Sequence, residues 1–209
     1  MISLFTLLAC RSFKNKNKEI DNKSYINDFE LLQENPKTDN IIIIKSPKAI
    51  IDPIKNDIGI YNSSIVIQNK SGQDIKVESG NSSLINSLNQ IRVFNNVRIS
   101  LYDTKNYFIN TNSFYWDLNS SKINLDNPLD INFKNTIISS SNGTYNIKSN
   151  LLEIYNNIFN RSIFNAEGEE QYQINISSDI ASWDKNNNSL EFISNNKQVE
   201  TTINFLTIK

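Results

Sequence analysis

The chain has 209 residues, no histidine, one cysteine and nearly balanced charge, 21 basic against 22 acidic residues. That composition excludes imidazole catalysis, His-ligated metals and disulfides within the chain, and it leaves no field that would draw the chain to nucleic acid. The length suits one domain, and the apolar residues, 38% of the total, are mostly Ile, Phe, Leu and Tyr, which fit strands better than helices.

The chain opens with a short apolar run ending in Leu7-Leu8-Ala9-Cys10, the form of a bacterial lipobox. It predicts export, cleavage before Cys10 and attachment of diacylglycerol to that thiol, which would hold a soluble domain at a membrane surface. The run is shorter than the roughly twenty residues that span a bilayer, and no basic segment precedes it. The tail of a longer anchor helix is therefore the other reading. Residues 11–40, with Lys14, Lys16, Lys18 and Lys23 among asparagines, read as a flexible linker. Within them "YINDFELLQENP" (25–36) predicts a helical turn or two stopped by Pro36.

From residue 41 to 209 the hydrophobic period is two. "IIIIKSPKAII" is extended and broken by Pro47, as at an edge or a bulge. Ile65 and Ile67 face Ile75 and Val77 across a turn at 70–72. Val97, Ile99 and Leu101 alternate with Arg98 and Ser100, turn at 103–106 and return through Tyr107, Ile109 and Thr111. The segments "KINL", "LDINF", "TYNIKSNLLEIY", "RSIFNAEG", "EEQYQINISSDIASW", "SLEFIS" and "QVETTINFLTI" follow in the same manner. Only 82–91, "SSLINSLNQI", has weak helical character. A dozen or more short strands at roughly ten-residue spacing predict an all-β sandwich, barrel or solenoid, wet on one face and dry on the other. Asn, Ile, Ser and Lys are heavily used, as AT-rich coding produces. The Asn-x-Ser/Thr triplets at Asn62, Asn81, Asn119, Asn142 and Asn175 are therefore not read as glycosylation sites.

Both tryptophans fall in one repeated phrase, "NSFYWDLNSSKINL" (112–125) and "DIASWDKNNNSLEF" (179–192), and "LYDTKN" (101–106) is a weaker third copy. Asp117 and Asp184 sit where a strand enters a turn, and Trp116 and Trp183 close the apolar face before it. A repeated hairpin implies stacking, each rung burying its dry side against the next.

The aromatic-Asp turns followed by alternating strands, chiefly 94–125 with 141–157 and 180–202, resemble the OstA-type repeats of lipopolysaccharide transport proteins. The layout of a short anchor and one β-domain resembles the LptC family within that LptA-type β-jellyroll group. The resemblance implies a twisted, partly open β-jellyroll, a folded-over antiparallel sheet with an apolar groove. It implies no enzymatic activity, no cofactor and no metal. The implied ligand is lipopolysaccharide, and the implied place is the periplasmic side of the inner membrane. The implied partners are the inner-membrane ABC exporter and an LptA-like β-jellyroll protein paired through edge strands. By alternation, the groove candidates are Ile65, Ile67, Val97, Ile99, Leu101, Ile109, Leu125, Ile131, Phe133, Ile147, Ile174, Ile176, Phe192, Ile203 and Phe205. Each is more often a plain core residue than a lipid contact. The edge candidates are Ile41, Ile42, Ile43 and Ile44 in the first strand and Ile203, Phe205 and Thr207 in the last. The competing expectations are a glycan-binding or glycan-active sandwich, with Glu167, Glu169 and Glu170 as its acids, and a structural surface lipoprotein built of β-repeats.

Overall fold

The computed structural model describes residues 23–35, 39–68, 74–85, 89–101, 107–187, 189–195 and 198–205, and every regular element among them is a strand. Cys10, residues 11–22 and Thr207 lie outside the described residues. The strands are β1 (Ser24–Asn35), β2 (Asn40–Asp52), β3 (Asp57–Gln68), β4 (Asp74–Ile85), β5 (Gln90–Leu101), β6 (Tyr107–Asp117) and β7 (Lys122–Leu125). They continue as β8 (Leu129–Phe133), β9 (Thr136–Ser140), β10 (Asn142–Asn146), β11 (Leu151–Phe164), β12 (Glu170–Asp184), β13 (Ser189–Ile193) and β14 (Glu200–Phe205). All belong to one 14-stranded sheet, joined antiparallel in the order β1-β2-β3-β4-β5-β6. Beyond β6 the sheet splits: β7 and β10 bridge β6 to the first half of β11, while β8 and β9 bridge it to the second half. β12 then carries β13 on its second half and β14 on its first.

The long strands all change phase in the middle. In β2 the buried side chains run Ile42, Ile44, Ser46 and then Ala49; in β6 they run Ile109, Thr111 and then Phe114 and Trp116; in β12, Ser178 and then Ala181 and Trp183. Each series steps by two except for one step of three. At the matching points of the odd-numbered strands sit residues with positive φ, Asp28 (φ 52), Asn62 (φ 49), Asn95 (φ 67), Asn96 (φ 54) and Asn156 (φ 50). Asn and Asp accept this left-handed conformation with the least strain of any side chain larger than glycine. The slips line up across the sheet and make a fold line, over which the sheet doubles back into two layers. Layer one holds β7, β10 and β13, and layer two holds β8, β9 and β14. The architecture is therefore the expected one, an antiparallel sheet folded over on a single apolar core.

The interrupted ladder leaves backbone groups without strand partners at the fold line, and buried hydroxyls meet them. The Ser46 hydroxyl reaches the carbonyls of Lys48 and Tyr61, Ser79 that of Asn81 and the Ser63 hydroxyl, and Thr111 the carbonyl of Pro128. Ser140 reaches the carbonyls of Asn142 and Tyr155 and accepts from Tyr155 N–H, and Ser178 reaches Ile180 O and the Asn157 amide.

Two expectations change. Residues 24–35, expected in the linker and partly helical, form β1, and Asn40, its expected last residue, opens β2 and is buried. Ile26 and Phe29 both face the core because Asp28 absorbs the phase slip between them, and that spacing of three copies a helical period. Residues 82–85 and 90–91, given weak helical character, close β4 and open β5.

Opposite the fold line, the tips of layer one end in matching turns. Asp52 accepts from Ile54 and Lys55 N–H, Asp117 from Asn119 N–H, Asn146 from Lys148 and Ser149 N–H, and Asp184 from Asn186 and Asn187 N–H. The two Trp-Asp phrases are thus members of a larger set of aspartate and asparagine turns along one lip. Leu101 ends β5 in layer two, on the other lip, so "LYDTKN" is not an equivalent rung; its turn residues lie outside the described set. Gly143 sits where β10 presses on β11: a Cβ there would meet Glu153 O at 2.7 Å and Ile154 Cγ2 at 2.9 Å.

Candidate functional site: the open end of the folded sheet

Nine of the groove candidates, Ile65, Ile67, Val97, Ile99, Leu101, Ile109, Leu125, Ile131 and Ile147, lie between the layers with no more than 2% of their surface exposed. They belong to the continuous apolar core between the layers. Of the other six, Phe133 lies at the tip of β8 and five lie on the last rungs, β12, β13 and β14. Phe133, Ile174, Ile176 and Phe192 are half-buried, Ile203 is 49% exposed and Phe205 is 78% exposed. The register explains the gradient. Ile174 faces Ile203 and Tyr172 faces Phe205 across the β12–β14 ladder, so the dry face of layer two continues onto β14. Among the described residues layer one ends with β13, paired only along 180–184, and none of them covers that extension.

The edges follow from the same map. Ile41, Ile42, Ile43 and Ile44 are not at an edge: they lie in β2, with β1 on one side and β3 on the other. The misreading came from β1, whose phase slip hid it as a strand. The true outer strands among the described residues are β1 at one end and β13 with β14 at the other. β1 carries Asp28, Glu30 and Glu34, and Glu30 pairs with Lys45 at 3.1 Å, the charged dressing that discourages edge pairing. β14, "ETTINF", carries one charge, Glu200, and presents Ile203 and Phe205 on an edge that no other strand among the described residues pairs with.

Where the sealed and open parts meet, an aromatic group spans the mouth between the layers. The Tyr107 ring, at the tip of layer two, stacks on Phe133 at 5.6 Å, and both stack on Trp183 of layer one, at 5.8 and 6.0 Å. Lys185 Nζ lies 5.7 Å from the Tyr107 ring centre and 5.9 Å from that of Trp183, and it donates to Leu101 O at 3.0 Å, 84 residues away in sequence. Burial pushes the Lys185 amine down to about 8. Alternation alone found Phe133 but missed Tyr107 and Lys185. The signal was in the repeat itself: after Trp-Asp one copy has Leu118 and the other Lys185. The two turns are otherwise matched, Leu118 N–H bonding to Asn89 O and Lys185 N–H to Asn150 O.

The acids considered for glycan chemistry form a capped turn. Asn165 and Glu169 exchange three hydrogen bonds, and the side chains of Ser162 and then Gln173 hold the Glu170 carboxyl below its usual range. A general acid needs the opposite shift. Among the described residues no group of three or more His, Cys, Asp or Glu side chains could hold a metal. Trp116 and Trp183, 1% and 8% exposed, present no open face to a sugar. The fold line opens a cleft of about 590 Å³ of mixed character, lined by Asn96, Arg98, Asn110 and Asp130 together with Val97 and Leu129, among others. No helix among the described residues is long and apolar enough to cross a membrane. No family model matches the chain, and no curated protein matches it either.

Proposed function

We propose that the chain is a lipid-handling component of lipopolysaccharide export, sited at the periplasmic face of the inner membrane. It takes acyl chains on the uncovered apolar face of its last rungs and passes them to a second β-jellyroll protein paired along β14. The observation that carries the reading is the uncovered continuation of the core onto β14, with Ile203 and Phe205 exposed on an unblunted edge. Each methylene moved from water onto that face gains about 0.8 kcal/mol, and an acyl chain has many. The residues at 0–2% exposure supply the rigid floor, and Ile174, Ile176, Phe192, Ile203 and Phe205 supply the contact. The chain's own residues offer binding and a route; energy is left to the ABC exporter.

A photo-crosslinking phenylalanine analogue, placed in turn at Phe205, Phe192 and Ile65 of the full chain, tests this with purified lipopolysaccharide. Adducts are expected at 205 and 192 and not at 65. Adducts at none of them, with a soluble glycan binding at the fold-line cleft instead, would replace the export reading with a glycan-binding one.

A further inference from the structure

We propose that the corner of layer one where β1 begins and the β2–β3 turn projects is a docking face for an anionic lipid bilayer, with Ile54 entering the boundary between headgroups and acyl chains. The choice of a bilayer as the occupant rests on the export reading, which puts the amino end of the chain at a membrane.

The first argument comes from matching turns. Four turns on the lip of layer one share one design, an Asp or Asn side-chain oxygen accepting from the N–H two residues on: Asp52 from Ile54, Asp117 from Asn119, Asn146 from Lys148 and Asp184 from Asn186. The donor residue is exposed in all four. In three it is polar, as a turn tip ordinarily is. In the turn beside β1 it is Ile54, 78% exposed and preceded by an exposed Pro53. Asp52 also accepts from Lys55 N–H, which fixes the tip in place. An isoleucine held in water by a capped turn gains by entering an apolar phase; the asparagines and the lysine at the sibling tips do not. Ser24 pairs with Ile51 in the β1–β2 ladder, so β1 starts beside this turn. Behind it, on the outer face, Tyr25 and Tyr61 are both exposed, and Lys48 Nζ lies 5.4 and 5.9 Å from their ring centres. Tyrosines and long-stemmed lysines are the side chains that settle at headgroup level, apolar body inward and polar tip outward.

The second argument is reach and charge. The apolar run ending at Cys10 stands fourteen positions before Ser24. Even a fully extended chain of that length keeps the corner within roughly 50 Å of whatever holds the run. Such a tether makes contact with the same bilayer an intramolecular event, so a face of modest area suffices. Between the run and β1 stand five basic residues, Arg11, Lys14, Lys16, Lys18 and Lys23, against two acidic ones, Glu19 and Asp21, an excess of three positive charges. That excess complements an anionic surface. The corner adds Lys48 and Lys55. Of its two acids, Asp52 is engaged in capping the turn, and Asp57 lies across from it at the base.

The photo-crosslinking phenylalanine analogue, placed in turn at Ile54, Asn119 and Asn186 of the full chain, tests the corner. The probes are vesicles of phosphatidylethanolamine with about one quarter phosphatidylglycerol, and vesicles of phosphatidylcholine alone. On the anionic vesicles phospholipid adducts at 54 are expected to exceed those at 119 and 186 by about tenfold. They should fall about fivefold on the neutral vesicles, and by a similar factor when Lys48→Gln and Lys55→Gln are combined. Adducts absent from 54, equal at the three turns, or indifferent both to lipid charge and to the two lysines overturn the docking face. The result separates from that of the acyl-chain reading. Phospholipid adducts at 54 with no lipopolysaccharide adducts at 205 keep the corner and remove the export reading; the reverse pattern removes the corner alone.

Discussion

Trp116 and Trp183 occupy the same place in the same phrase, yet they end in different environments. Trp116 lies in the middle of the sheet, 1% exposed, its indole N–H bonded to Ser120 O at 2.9 Å, with Leu118 sealing the turn behind it. Trp183 lies near the last rungs, against two half-buried rings, with a lysine where the leucine would be. Sequence repetition therefore fixes the hairpin but not its role. The role is set by how many rungs follow, because each rung is covered by its neighbours. A phrase repeated early becomes core, and the same phrase repeated late becomes the mouth of the core.

The contrast can be broken most forcefully at Leu118. Leu118→Lys buries an amine with no opening to water and should remove about 3 kcal/mol or more of stability, read from chemical denaturation. If it behaves like the native Lys185 turn and leaves stability intact, the two environments are not different. Trp116→Ala comes next, at about 3–5 kcal/mol, against about 2–3 kcal/mol for Trp183→Ala, whose site can relax into the mouth. Equal losses would remove the distinction. Further out, Phe205→Ser should change stability by less than about 0.5 kcal/mol while reducing apolar-probe binding. A large loss of stability there would mean that the last rung is core after all.

The smallest effect is electrostatic. Lys185 ionises near 8 in the folded chain against 10.5 ordinarily, so the unfolded chain holds more protons between those values. Stability then rises with pH across that window. Solvent screens a half-buried amine, which keeps the gain under about 1 kcal/mol. Denaturation midpoints from pH 7.5 to 10.5 should climb more steeply for the wild type than for Lys185→Met; parallel slopes would refute the assignment.

Much of the fold was legible because period-two alternation survives within each half-strand, as in Val97, Ile99 and Leu101. What was not legible was the fold line. A left-handed Asp28 turns two inward residues into a spacing of three, and a strand then looks like a helical turn. Losing β1 in this way also moved the predicted edge onto β2. The groove list was sound as parity and silent about cover. Ile65 and Phe205 share a pattern, but only the register of β13 and β14 shows which of them has a layer above it. Lys185 was visible as the one chemical mismatch between two otherwise parallel turns, and it became meaningful once Leu118 was seen to be sealed.

The direction of the outer strands has a consequence for assembly. β1 runs from layer one to layer two, and so does the chain through β13 into β14. A second copy stacked on β14 by its β1, with the layers aligned, would have to pair in parallel, with slanted and somewhat weaker bonds. An antiparallel ladder requires a chain whose edge runs the other way. Strand polarity thus disfavours head-to-tail stacking of copies through β14 and β1, independently of any side chain at the junction.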